Sequence, residues 1–289
     1  MASSHPAGAV LNCAGRVLDL RSVQVMGILN VTPDSFSDGG TLFDGERLSA
    51  DSLCRRAESM VNAGATVLDI GGESTRPGAT PVTEAEELER VLPAVEAIAA
   101  RFDVVISLDT SSPAVMTEGA RLGAGLINDV RALGRPGALQ AAVQTGLPVC
   151  LMHMAGEPDN MQDRPRYRSV THEVAAFLTS RVDACLTAGM DAGQIVLDPG
   201  FGFGKTPAHN FTLLRELGQI VALGYPVLAG LSRKSMIAHV VDRAPDQRLS
   251  ASLALAVLAA NNGARLIRVH DVPETVDALA MVKAMETLA

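Results

Sequence analysis

The sequence predicts an α/β fold, a closed (β/α)8 TIM barrel, on three observations. Short β-branched or apolar runs alternate with longer stretches of helical spacing. Eight such pairs occupy about 265 residues, the usual size of this barrel. Polar residues collect at the C-terminal ends of the runs, where barrels of this kind carry their active sites.

The elements follow in order. Residues 10–12 and 16–20 flank Ala14-Gly15 and predict a hairpin that plugs the barrel floor. Strand 23–30 precedes a helix over 46–64 that ends at Gly64. Strand 66–72 leads to helix 83–100, whose Thr83 and Glu86 fit a capping box. Strand 103–110 leads to helix 113–123, which opens on Pro113 and closes on Gly123, as helix ends prefer. Strand 126–130 and helix 136–146 repeat that arrangement with Pro136 and Gly146. Strand 148–154 pairs with helix 171–189, strand 195–200 with helix 207–224, and strand 226–232 with helix 247–263. Strand 265–271 and a helix from 273 towards 288 complete the eight. A doubly wound open sheet is the alternative, although it normally has fewer strands at this length. No linker, charge block or low-complexity segment divides the chain, so one domain over 1–289 is expected, with residues 1–9 flexible.

Composition narrows the function. The chain has 289 residues, 47% hydrophobic and 19% charged, which is neither disordered nor fibrous. Its net charge of −8 argues against a general nucleic-acid or anionic-membrane binder. Cys13, Cys54, Cys150 and Cys185 form no CxxC pair and read as reduced thiols. The N-terminus has no basic and apolar leader pattern, and the apolar stretch at 253–260 is too short to cross a bilayer. A soluble cytoplasmic protein is the expectation.

The strand ends carry Asn30, Asp69, Asp109, Asn128, Asp198, Ser232, Arg268 and His270. A single buried acid is ordinarily the partner of an arginine or a helix end. Three acids with an amide on one rim are costly unless a ligand, a metal or Arg/Lys satisfies them. The cluster predicts a ligand rich in N–H donors, with Arg233, Lys234, Arg268 and His270 available for an anionic part. The first loop, 30–40, is long and polar and reads as a mobile lid. The second, 71–78, offers glycines, hydroxyls and Arg76 to an anion. The run 198–206 fails the phosphate-cradling pattern, because Pro199 stands where its first glycine is needed. Its glycines read instead as close backbone approach to a flat ligand. His153, between Met152 and Met154, reads as packed or hydrogen-bonded rather than as a metal ligand. There is no convincing Ser-His-Asp arrangement.

Taken together, MGILNVTPDSFSDGG, LDIGGESTRPGA, SLDTS, INDVRAL, PVCLMHM, LDPGFGFGK, GLSRKSMI and RVHDV resemble the dihydropteroate synthase family, from Met26 to Val272. The resemblance implies a pterin-binding barrel that joins (7,8-dihydropterin-6-yl)methyl diphosphate to 4-aminobenzoate in folate biosynthesis. It also implies Mg2+ dependence, sulfonamide competition and a homodimer. By motif position, Asn30 corresponds to the Mg2+ and diphosphate residue. Asp109, Asn128 and Asp198 correspond to the pterin binders, and Lys234 to the group that reaches the pterin carbonyl. Arg268 and His270 correspond to the diphosphate and ring clamp. Thr75, Arg76, Pro77, Phe203 and Ser235 correspond to the aminobenzoate pocket. One departure is Ser112, where the family often carries a basic residue.

Residue chemistry agrees with that resemblance. The aminopyrimidine edge of a pterin presents adjacent N–H donors, which a carboxylate such as Asp198 accepts together. An arylamine is neutral at pH 7 and needs no strong base. The barrier then lies mostly in loss of diphosphate, which favours an SN1-like path and ordered binding of the aminobenzoate after the pterin. Three rivals are weaker. A pterin-binding methyltransferase should lack NVTPDSF together with SRKS. A non-catalytic paralogue is disfavoured by the retained Asn30, Arg76, Lys234, Arg268 and His270. An aldolase-type barrel would want a lysine within a strand.

Overall fold

The computed structural model describes residues 9–32, 43–44, 47–74, 82–156 and 165–288. Strands β1 (Val10–Cys13) and β2 (Arg16–Asp19) form an antiparallel hairpin around Ala14 and Gly15, both at positive φ. Strand β3 (Gln24–Asn30) is followed by a small antiparallel ribbon, β4 (Phe43–Asp44) with β5 (Arg47–Leu48), and by α1 (Ala50–Asn62). The alternation then continues with β6 (Val67–Gly71), α2 (Glu84–Ala99), β7 (Val105–Asp109), α3 (Pro113–Arg121), β8 (Leu126–Asp129) and α4 (Ala138–Thr145). Next come β9 (Val149–Met152), α5 (Val170–Thr187), β10 (Ile195–Asp198), α6 (Pro207–Arg215) and α7 (Leu217–Val221). The chain finishes with β11 (Leu228–Ala229), α8 (Ser235–Ala238), α9 (Leu249–Asn261), β12 (Leu266–Val269) and α10 (Val272–Leu288).

Eight parallel strands run in the order β10-β9-β8-β7-β6-β3-β12-β11. The ring is closed where Leu197 pairs with Val227 and its N–H donates to the Pro226 carbonyl at 2.9 Å. The expected barrel is therefore what forms. Helix starts are set by caps: Thr83 and Glu86 make the reciprocal capping box, and Ser112 accepts from Val115 N at the head of α3. Ser112 also donates to Glu84 at 2.8 Å, so it joins α3 to α2.

Beyond shifts of one or two residues at element ends, three elements differ from the sequence reading. The helix expected from 46 begins at Ala50, because Arg47 and Leu48 pair with β4 and Ser49 caps the helix by accepting from Ser52 N. The helix expected over 207–224 is broken at Glu216, whose backbone leaves the helical region at φ −100 and ψ 14. Strand 226–232 shortens to Leu228–Ala229, since the chain turns at Arg233, which has a positive φ of 58. The expected lid at 33–40 and Thr75, Arg76 and Pro77 lie outside the described residues.

The core has two parts. A large apolar layer lies between the barrel and its helices. A separate cluster fills the barrel floor, with Met26, Val67, Val105, Leu126, Cys150, Val196, Leu228 and Leu266 each contributed by a different strand. Leu11, Cys13, Leu18 and Leu20 of the N-terminal segment insert among them, so the hairpin is the floor plug. Burying each such leucine stabilises by about 1.5–3 kcal/mol. The fit is close, since a Cβ on Gly125 would meet the Cys13 carbonyl oxygen at 2.7 Å. All four cysteines are free, and burial pushes the Cys13 thiol up to about 12. No helix among the described residues is long and apolar enough to cross a membrane.

Candidate active site

The site follows from strand alternation. Side chains two residues apart share a face, so the residues two steps beyond the apolar floor also point inward. Five of those eight are polar, Asp69, Ser107, Asn128, Asp198 and Arg268, and the other three are Ile28, Met152 and Gly230. One further step brings Gly71, Asp109 and His270, and Asn30 stands four residues beyond Met26. A dry floor thus carries a polar layer directly above it.

That layer is built around one guanidinium. Arg268 donates through Nε to Asp69 Oδ2 at 2.6 Å and through Nη2 to Asp109 Oδ2 at 2.7 Å. Asn128 donates through Nδ2 to the same Asp69 oxygen at 3.2 Å. Asp69 is fully buried, and its Oδ1, like Ser107 Oγ, has no partner among the described residues. Burial works against the charge on Arg268, but Asp69 and Asp109 more than offset it and hold the guanidinium above its usual range. Burial raises the Asp109 carboxyl; Arg268 opposes the rise and Asp69 adds to it.

Asp198 ends β10 and accepts from Gly200 N at 2.7 Å. Burial pushes it up to about 6, against the pull of that N–H and of Lys234 and Lys205. The loop after it, 199–204, is tied from behind by Lys205, whose Nζ donates to Gly200 O at 2.7 Å and Phe203 O at 3.0 Å. It also contacts His153 Nδ1 at 3.0 Å and donates to the His153 carbonyl at 3.4 Å. Burial lowers Lys205 to about 7, and burial with Lys205 lowers His153 to about 3. His153 packs edge-on against Phe177 at 5.0 Å, as the packed reading expected.

The glycine reading of this loop needs correction. A Cβ on Gly200 would lie 1.9 Å from His153 O, and one on Gly204 would lie 2.6 Å from Ala155 O. These glycines admit neighbouring backbone rather than a ligand. Gly202 instead faces a cation, since a Cβ there would lie 3.0 Å from Lys234 Cδ. Lys234 Nζ sits 4.1 Å from the centroid of the Phe203 ring.

The last two strands complete the mouth. Ser232 Oγ lies 3.0 Å from His270 Nδ1 and accepts from His270 N. Arg233, expected to be available to a ligand, instead pairs with Asp271, with an N–O distance of 2.5 Å. Ser235 opens the short α8 directly after Lys234. Asn30 ends β3 opposite Gly71.

Sequence reasoning missed a supporting layer behind β8. Asp129, facing away from Asn128, accepts from Ser111 Oγ, from Arg131 N at 2.8 Å and from Leu133 N at 2.7 Å. It thereby holds Ala132 and Leu133 at positive φ of 50 and 59. Arg131 in turn pairs with Glu73 at 3.2 Å, just ahead of residue 75. The polar pair Asn128-Asp129 at a strand end, its two members on opposite faces, was the available signal.

The arrangement presents Asp109, Asn128 and Asp198 as acceptors around the Arg268 guanidinium, with Lys234 and His270 nearer the rim. That suits a flat ring with adjacent N–H donors on one edge and an anionic substituent directed outward. A family model described as pterin binding enzyme matches residues 26–270. Dihydropteroate synthase of Escherichia coli (strain K12) is 54% identical over 270 residues, 93% of this chain and 94% of that protein. The structure of Yersinia pestis dihydropteroate synthase with a sulfonamide drug complex superposes with a TM-score of 0.92 at 52% identity, covering 96% of this chain and 99% of that one. Xanthomonas albilineans dihydropteroate synthase with 4-aminobenzoic acid gives 0.89 at 48% identity, covering 96% and 98%. The same enzyme in complex with 7,8-dihydropteroate gives 0.86 at 45%, with equal coverage. The chain belongs to the pterin binding enzymes and, among them, to the dihydropteroate synthases, which are transferases.

Proposed function

We propose that the chain joins (7,8-dihydropterin-6-yl)methyl diphosphate to 4-aminobenzoate, giving 7,8-dihydropteroate and diphosphate, by an SN1-like path. The observation that carries the reading is the buried acceptor set of Asp109, Asn128 and Asp198 around the Arg268 guanidinium. Asp198 accepts the paired N–H donors of the aminopyrimidine, Asp109 and Asn128 take the remaining ring edge, and Lys234 donates to the ring carbonyl. Arg268 and His270 stabilise the departing diphosphate as the methylene C–O bond breaks. The dihydropterin ring delocalises the positive charge left behind, the arylamine adds to the methylene carbon, and the surplus amine proton passes to solvent. Thr75, Arg76, Pro77, Phe203 and Ser235 form the aminobenzoate subsite in this reading, with the aminobenzoate binding second.

Mg2+ fits as a group carried with the diphosphate rather than held in a cage. Among the described residues no group of three acidic, His or Cys side chains could hold a metal. Asn30, at the rim, offers one neutral oxygen, and a hard cation of this size is commonly bound by one or two protein oxygens together with substrate phosphates. When bound, Mg2+ supplies charge neutralisation on the leaving group. A cytoplasmic homodimer completes the proposal.

The deciding experiment is diphosphate release by purified protein given the dihydropterin diphosphate and Mg2+, with and without 4-aminobenzoate. Release that depends on 4-aminobenzoate and is blocked by a sulfonamide supports the reading. Pterin binding without release refutes the catalytic part.

A further inference from the structure

Asp69 is absent from the set of groups assigned above to substrate, yet the polar layer is organised on it. One fully buried oxygen, Oδ2, accepts from Arg268 Nε at 2.6 Å and from Asn128 Nδ2 at 3.2 Å. A carboxylate offers only acceptors, so the Asn128 amide must turn its nitrogen towards Asp69. Its carbonyl oxygen is then directed away from Asp69, and the amide reaches the ligand as an acceptor. In the same way Asp69 takes Nε of Arg268 and leaves the terminal nitrogens for Asp109 and the mouth. We infer that Asp69 is a positioning residue that fixes the donor–acceptor polarity of the pocket, and so selects a ring edge made of N–H donors.

This inference rests on the pterin reading and deepens it. Asp69 touches neither the reacting carbon nor the leaving group. Its effect is routed through the orientation of Asn128 and the anchoring of Arg268. The register supports a direct route, since β8 reaches Asp69 across β7: Asp69 stands beside Ser107, and Ser107 beside Leu126, two residues before Asn128. With Asp69 Oδ1 and Ser107 Oγ both unpartnered among the described residues, the layer has surplus acceptor capacity for the amide nitrogen.

The test is a double-mutant cycle read by calorimetric binding of the pterin ring compound, 6-hydroxymethyl-7,8-dihydropterin, to the full chain. Asp69→Ala frees the Asn128 amide and one edge of the Arg268 guanidinium, and should weaken binding at least about tenfold, the scale of a buried polar mismatch. Asn128→Ala removes the amide that Asp69 orients, so in that background Asp69→Ala should cost at least about threefold less than in the wild type. Equal losses in the two backgrounds, which a merely structural role for Asp69 would give, overturn the proposal. If Asp69→Ala alone binds as wild type, the proposal also fails. Should Asp69→Ala fail to fold, Asn128→Asp, which keeps an oxygen facing the ligand but removes the donor to Asp69, decides: binding as wild type overturns the proposal. A wild-type protein that binds no pterin ring overturns the functional reading itself, and this inference with it.

Discussion

Lys205 Nζ lies 3.0 Å from His153 Nδ1, and the direction of that bond follows the charge on the lysine. Nζ also donates to the carbonyls of Gly200 and Phe203, and burial keeps the imidazole neutral, with its pKa lowered to about 3. While Nζ is an ammonium it has no lone pair, so Nδ1 is then the acceptor and the ring proton sits on Nε2. With the His153 carbonyl at 3.4 Å, one nitrogen faces four acceptors and ties His153 to the loop that carries Phe203.

The lysine should leave a signature in stability against pH. Its folded value is lowered to about 7 from an ordinary 10.5, so between those values the unfolded chain binds a proton that the folded chain lacks. Stability attributable to this group rises with pH across that window, by up to about 1.4 kcal/mol per unit, and its burial penalty is full below pH 7. The difference in urea-unfolding free energy between wild type and Lys205→Met, followed from pH 7 to 9.5, should carry that slope; a flat difference contradicts it.

Pterin affinity should weaken in acid. Asp198 accepts N–H donors only as a carboxylate, and burial raises it to about 6. Below that value Kd should rise about tenfold per pH unit, and above it the contribution of this group should level off. Calorimetric titration from pH 5 to 8 tests this, with Asp198→Asn expected to bind weakly and to lose this component of the pH dependence.

Arg268→Met should destabilise the fold as well as disable the site. It strands Asp69 and Asp109, both paired to the guanidinium. Removing one partner of such a buried arrangement costs about 3–5 kcal/mol. Adding Asp109→Asn to Arg268→Met should return part of that loss in urea unfolding without restoring turnover.

Two glycines of nearly equal φ should respond differently to alanine. Gly146, at φ +66, has nothing near its missing Cβ, so Gly146→Ala should cost only the left-handed strain of about 1–2 kcal/mol. Gly200, at φ +68, would place a Cβ 1.9 Å from His153 O. Gly200→Ala should cost clearly more in thermal unfolding and should weaken pterin binding through Asp198.

Leu18→Ala opens a cavity in the floor, where Leu18 is almost fully buried. A loss of about 2–5 kcal/mol is expected in urea unfolding. The polar layer begins only above the floor, so pterin affinity measured well below the unfolding transition should change less than threefold, a shift of under about 0.7 kcal/mol.

The barrel was legible because its signals are local and repeated: apolar runs, glycine stops, and caps such as Thr83 with Glu86. The rim was legible because alternation places Asp109, Asn128, Asp198 and Arg268 inward from their positions alone. Pairing partners were not. The sequence does not show that Arg233 is held by Asp271 and Arg268 by Asp69 and Asp109; those pairings are made by partners on other elements, as much as 199 residues apart. Gly200 and Gly204 were misread for the same reason, since the backbone they admit belongs to the loop after β9. The ribbon of β4 and β5 escaped because two-residue strands have no periodicity to detect.

The ring order has a consequence in time. β3, the first barrel strand to be synthesised, lies between β6 and β12, while β11 finds its partner in β12 as well. Until residues 266–269 leave the ribosome, both β3 and β11 carry an unpaired edge of backbone donors and acceptors. The floor plug likewise lacks Leu266, so its apolar face is not yet sealed. A nascent chain of this protein therefore ends its synthesis with two sticky edges open, and a chaperone that shields strand edges has its natural interval of action before β12 emerges.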